Sequence, residues 1–152
     1  MITNGEAVGK PNQLLGAIVP NAPGLPSDAV EAAYDDAGNM TLLRVSRATC
    51  ADASRCNHVF AYEWNEVGEL AKARRWDGAT AAALAGDSYK TQTAAIDFRY
   101  TYGAGGRVLK SSRVGQDVHY TVDVFATLRL KDATWDPASG DYERFAPPIG
   151  RA

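Results

Sequence analysis

The residues best equipped for chemistry are Cys50 and Cys56, which frame the stretch CADASRC, and His58 two positions further on. Two thiols at this spacing support three chemistries. Oxidised, they close a seven-residue loop, as suits an exported protein. Reduced, they are the ordinary thiols of a cytosolic chain. With His58 and the distant His119 they offer a Cys-x5-Cys-x-His metal set, although that spacing matches no standard zinc pattern. The disulfide is the preferred assignment and the metal the least favoured. Other candidates fall short of a catalytic constellation. Asp35 and Asp36 are adjacent, so in a strand or turn their carboxylates diverge instead of forming an acid–base pair. His119 lies opposite an apolar stripe, where a solvated or packing role is the ordinary one. Ser111 and Ser112 lack a His–Asp context, and Gly103–Gly106 opens no helix that could cradle a phosphate. The expectation is no catalytic residue, no metal and no cofactor.

The elements that carry these residues follow from composition and pattern. The chain has 152 residues, 45% of them hydrophobic and 22% charged, enough for one domain with one core. Its net charge is −2 and its 16 basic residues are dispersed, which argues against a nucleic-acid partner or an anionic membrane surface. No apolar run approaches the roughly 18 residues that span a bilayer. The first twenty residues lack a basic start followed by an apolar segment, so no signal peptide is expected in this chain.

Three stretches share one plan: YDDAGNMTLL from Tyr34, WNEVGELAKA from Trp64 and YGAGGRVLKS from Tyr102. Each runs aromatic, then Asp35, Asn65 or Gly103, two variable residues, then Gly38, Gly68 or Gly106. One more residue and an apolar position, Met40, Leu70 or Val108, complete the unit. Asp or Asn at the first corner of a type I turn bonds backbone N–H groups further on, and the glycine supplies a left-handed conformation. The plan predicts three hairpins with a type I turn and a glycine bulge.

Period-two alternation supports strands on either side. Phe60, Tyr62 and Trp64 share one face, and so do Ile96, Phe98, Tyr100 and Tyr102; these aromatics are expected to face the core. Alternation from Val118 to Leu130 predicts one strand about 40 Å long with a bend or bulge midway. Four prolines (Pro11, Pro20, Pro23, Pro26) and four glycines mark residues 1–33 as an extended, poorly regular lead-in, with one short strand around Leu14–Val19. Residues 34–134 form the repeat sheet, and residues 135–152 a fourth hairpin and tail. The Ala-rich Ala79–Ala85 supports either two helical turns or a flexible loop.

The three units resemble YD repeats of the RHS-repeat family, which includes bacterial polymorphic toxins, Tc-toxin components and animal teneurins. The resemblance covers roughly Tyr34–Val114, and PNQLL at Pro11–Leu15 is similar to a common lead-in to such repeats. It implies an all-β fold: antiparallel hairpins in a twisted, incomplete β-spiral sheet, a segment of a hollow shell around a C-terminal effector. The implied partners are the remainder of the shell and that effector, with self-association through open sheet edges. The implied location is secreted or at the cell surface, within a longer parent. The stretch WDPASGDYERFAPPIG at Trp135–Gly150 is similar to the sequence that closes the RHS core, through Trp135-Asp136-Pro137, Gly140, Arg144-Phe145 and Pro148-Ile149-Gly150. Pro147 stands where that pattern has Asp, so the family's self-cleavage is not carried over; the simpler reading is a hairpin with Pro137 at the second turn position.

Three functions compete: a non-enzymatic shell segment, a small β-rich module that binds carbohydrate or protein, and an enzyme. A shell segment should show open edges and self-associate. A binding module should be a closed monomer with exposed aromatics.

Overall fold

A computed structural model describes residues 3–7, 10–21, 23, 27–48, 50, 56–114, 117–125 and 127–144. The chain is all-β and built of antiparallel hairpins, in two compact units, Met1–Ala95 and Ile96–Ala152.

The first unit contains β1 (Thr3–Ala7), β2 (Lys10–Val19), β3 (Asp28–Tyr34), β4 (Met40–Ser46), β5 (Asn57–Trp64) and β6 (Leu70–Gly78), paired in sequence order from β1 to β6. The described residues of 1–33 supply two strands and most of a third, where the sequence predicts one short strand. The prolines misled because Pro11 sits where the β1–β2 register slips: Glu6 pairs with Leu14 and Ala7 with Lys10. A residue without a backbone N–H costs least in such a gap in the ladder.

The buried core lies on one face of this sheet. Val59 and Trp76, opposite one another on β5 and β6, pack with Leu84 and Tyr89, and Leu42, Ala61 and Ala94 surround them. Leu84 and Tyr89 belong to two 3-10 turns, Ala82–Leu84 and Ser88–Thr91, within a segment that folds back over the sheet. The Ala-rich stretch is therefore neither an α-helix nor a free loop. The Arg44 guanidinium donates to the carbonyls of Leu84 and Gly86 and lies 5.3 Å over the Tyr89 ring. The Trp76 indole N–H donates to Gln92 O at 3.0 Å, and its ring meets Tyr89 edge-on at 4.9 Å. At Gly78 a Cβ would lie 2.8 Å from Leu84 Cγ, so only glycine lets the cover close.

This cover reverses the expected orientation of the second aromatic run. Phe60 and Tyr62 alternate with Val59 and Ala61 and so occupy the other face, where they are only half-buried. The aromatics dominate the sequence pattern, but the covering segment supplies Leu84 and Tyr89 to the opposite side.

The second unit contains β7 (Ile96–Gly103), β8 (Gly106–Val114), β9 (Asp117–Phe125), β10 (Leu128–Asp136) and β11 (Asp141–Arg144), again paired in sequence order. The long strand expected from Val118 to Leu130 does not exist. The chain reverses after Phe125, and Leu128 pairs with Phe125, Arg129 with Asp123 and Leu130 with Val122. Val122 and Leu130 land side by side, so apolar alternation passes through the turn undisturbed and conceals it. The fourth hairpin joins β10 to β11 and begins at Leu128, which moves the expected boundary at residue 135 into the middle of a strand. Pro137 follows Asp136, whose Oδ1 accepts from Ala138 N at 2.8 Å and whose carbonyl accepts from Gly140 N at 2.9 Å. Phe145, Pro147 and Pro148–Gly150 of the closing-sequence resemblance lie outside the described residues.

Candidate functional site: the repeat turns

The first two repeat turns are the same device. Gly38 N donates to Asp35 O at 3.0 Å and Asp35 N to Asn39 O at 2.9 Å; Gly68 N donates to Asn65 O at 3.0 Å and Asn65 N to Glu69 O at 2.9 Å. Gly38 and Gly68 hold φ of 91° and 81°, a region costly for residues with a Cβ. The corner side chain completes each turn. Asp35 Oδ1 accepts from Asn39 N at 2.8 Å, and Asn65 Oδ1 accepts from Glu69 N at 2.8 Å and Val67 N at 3.2 Å.

A second side chain, four positions on, closes the turn. Asn39 Nδ2 donates to Asp35 Oδ2 at 3.1 Å, and Asn65 Nδ2 donates to Glu69 Oε2 at 2.9 Å. Each turn thus holds one carboxylate and one amide, with their positions exchanged. Replacing Asp by Asn at the corner is matched by Glu in place of Asn opposite. The sequence carries this pairing at positions 35/39 and 65/69, but a motif read from the corner alone misses it. The Asn39 backbone N–H, and then its side-chain amide, hold the Asp35 carboxyl below the ordinary aspartate range.

The third unit departs from the plan. Tyr34 pairs with Met40 and Trp64 with Leu70, but Tyr102 pairs with Arg107, one residue closer, and Gly103 pairs with Gly106. The connection shrinks to Ala104-Gly105, and Val108 becomes an extra residue at the register shift. Gly103 has no side chain to cap the turn. At the matching fourth position Arg107 turns away to Asp123, at 3.0 Å from Nε to Oδ2, and Arg129 binds the other carboxylate oxygen.

The repeat aromatics do more than pack. Tyr34 Oη donates to Leu14 O at 3.3 Å, and Trp64 Nε1 donates to Met40 O at 2.8 Å. Each link runs from one hairpin to the backbone of the hairpin before it. The Gln13 amide also lies against Gly38, so the PNQLL stretch neighbours the first turn.

The remaining candidates are placed as follows. Cys50 and Cys56 are joined in a disulfide, Cα–Cα 5.5 Å, leaving no free thiolate pair for a metal. His58 Nδ1 lies 2.8 Å from Asp77 Oδ1, and Arg75 Nε lies 2.9 Å from the same oxygen. His58 on β5 and Asp77 and Arg75 on β6 thus form a cross-strand polar cluster. His119 stands on β9 with Ser112 Oγ donating to its carbonyl at 3.2 Å. Among the described residues, no three His, Cys, Asp or Glu side chains gather as a metal site. Asp36 is exposed beside Asp35, whose carboxylate is spent on its own turn. A cleft of about 210 Å³ under the covering segment, lined by Glu31, Arg44, Ser46, Asn57 and Leu84 among others, is partly filled by the Arg44 clamp.

No family model matches the chain, and no curated protein or solved structure matches it at a significant level.

Proposed function

We propose that this chain is a wall-building segment of the YD-repeat kind, a non-catalytic run of hairpins in an incomplete β-spiral. Its parent encloses or presents a C-terminal effector and is secreted or displayed at the cell surface. The observation that carries this reading is the backward link of the repeat aromatics. Tyr34 ties its hairpin to Leu14, and Trp64 ties the next to Met40. Such a bond is useful only where hairpin follows hairpin, and it gives the aromatic position of the repeat a structural purpose. The amide–carboxylate pairs at the turns support the same reading, because their chemistry is exhausted in shaping the chain. The Cys50–Cys56 disulfide suits export.

The partners are the neighbouring wall and its effector, which a strand edge recognises by completing its ladder. The test is light scattering of the purified chain together with thermal unfolding. Concentration-dependent association, suppressed when lysines are placed along β1 or β11, is the expected result. A compact monomer with one sharp transition at every concentration argues for the second reading, a β-rich module that binds carbohydrate or protein. That reading has its own support in Trp135, which is 46% exposed.

A further inference from the structure

One face of the second unit carries a built concavity. Along β7, β8 and β9, Asp97 pairs with Arg113 and Arg113 with Val118; in the next row Arg99 pairs with Ser111 and Ser111 with Tyr120. Residues directly paired across a sheet share a face, so these six side chains stand together. Ser111 is the shortest near the middle, and the longer Arg99, Arg113 and Tyr120 rise around it. The result is a dip of about 190 Å³ lined by these six residues, the room of roughly one sugar ring.

The dip continues into an aromatic strip. Ala133 pairs with Tyr120, and Trp135, two residues along the same strand, pairs with Tyr142. Tyr142 meets Tyr120 edge-on at 5.2 Å and Trp135 at 4.9 Å. Edge-on packing locks the rings against one another, yet Trp135 stays 46% exposed. An exposed indole fixed by its neighbours is a preorganised surface for an apolar ring face.

The charge on this surface selects among ligands. Among the described residues lining the dip, Asp97 is the only carboxylate and two guanidiniums flank it, an excess of one positive charge. Arg99 Nη2 stands 3.7 Å from Asp97 Oδ2, beyond hydrogen-bonding distance, and the Arg99 side chain is 63% exposed. Planar guanidinium forks recognise carboxylates, and aromatic faces stack on pyranose rings.

We propose that this face binds an acidic saccharide, with one uronate ring seated over Ser111 between Arg99 and Arg113 and the following rings on the Tyr120–Tyr142–Trp135 strip. The site is independent of the wall-building role: a wall segment can carry it, and loss of binding leaves the association test above untouched.

Calorimetric titration of the full chain with an oligogalacturonate, a neutral maltooligosaccharide of equal length and an inorganic polyphosphate tests it. Saturable binding of the oligogalacturonate is expected, with both other ligands weaker by about tenfold or more. Arg113→Gln, at an exposed position, weakens binding about tenfold with the circular dichroism spectrum unchanged. Ser111→Phe fills the dip and abolishes binding. Absence of saturable binding, equal affinity for polyphosphate or for the neutral sugar, or binding indifferent to Arg113→Gln would each overturn the proposal. If Ser111→Phe unfolds the chain, the Arg113 variant and the ligand comparison decide alone.

Discussion

The hairpins β3–β4 and β5–β6 and the hairpin β7–β8 start from the same aromatic-x-x-x-Gly plan and reach different turns. In the first two, a corner side chain bonds the backbone ahead and meets a partner four residues on, Asp35 with Asn39 and Asn65 with Glu69. In the third, Gly103 offers nothing to bond and Arg107 turns to Asp123, so the connection tightens to two residues. The difference teaches that the glycine does not set the register by itself. All three glycines hold positive φ, at 91°, 81° and 112°. What separates the turns is whether a side chain fills the corner. A repeat that tolerates Asp, Asn and Gly there is tolerating two distinct turns.

The sharpest way to break the comparison is through the aromatic link. Trp64→Ala removes a half-buried indole and its bond to Met40 O, and should destabilise the first unit by about 2–3 kcal/mol in urea unfolding. Trp64→Phe keeps most of the ring and loses the bond, and should cost about 1 kcal/mol. Equal costs for the two variants would remove the link as a reason for the aromatic.

Next in size are the corners. Asp35→Ala or Asn65→Ala strips two or more hydrogen bonds from a turn, and each should lower the urea midpoint, by less than Trp64→Ala does. Arg107→Ala, at the corresponding fourth position of the third hairpin, breaks a pair whose arginine is a third exposed and should cost under about 1 kcal/mol. A cost at Arg107 equal to that at Asp35 would erase the distinction between the turns.

The comparison can also be converted. Gly103→Asn together with Arg107→Glu transplants the amide–carboxylate pair of the second turn into the third. The expected outcome is a register change, with the cross-strand contact of Tyr102 in a nuclear Overhauser spectrum moving from Arg107 to Val108. The net energy should be small, within about 1 kcal/mol, because the Asp123 pair is lost as the turn is gained and the new Cβ sits 3.1 Å from Val108 Cγ1. An unmoved contact would mean that strand pairing further along the hairpin sets the register.

Much of this architecture was legible in the residues, for physical reasons that also explain the failures. Asx-then-Gly turns announce themselves because their bonds are local, within five residues. Strand identity was legible from alternation. The reversal at residues 125–128 was not, since the turn contains no Gly, Pro, Asn or Asp and preserves the apolar period on both sides. The covering segment was hidden for the opposite reason. Its two anchoring side chains, Leu84 and Tyr89, sit in a run of alanines and polar residues without periodicity, and their value depends on Val59 and Trp76 far away in sequence. That cover decided which sheet face became the core, so the orientation of Phe60 and Tyr62 could not be read locally. The exchanged carboxylate and amide at 35/39 and 65/69 were present in the sequence but carry meaning only once the turn brings them together.

That exchange yields the smallest effect and the most specific one. In the first turn the carboxylate, Asp35, accepts from the backbone. In the second the backbone bonds go to the Asn65 amide oxygen and the Glu69 carboxylate receives the Asn65 side chain, so acid should act on the backbone bond of the first corner alone. Hydrogen bonds from Asn39 hold the folded Asp35 carboxyl below its ordinary value of 3.8. A depressed carboxylate contributes stability that is fully present above the unfolded value and is lost as pH falls through the folded one. The window therefore opens near pH 4 and extends downward. In an NMR pH titration the Asn39 amide should shift through this window as its acceptor is protonated, while the Val67 amide, which donates to the Asn65 carbonyl, should stay nearly still. Asp35→Asn should remove the Asn39 titration while leaving an acceptor oxygen in place, so that both corners bond the backbone through a neutral amide. If the Asn39 amide still titrates in that variant, the proton is going elsewhere, and Asp36 beside the corner becomes the group to test.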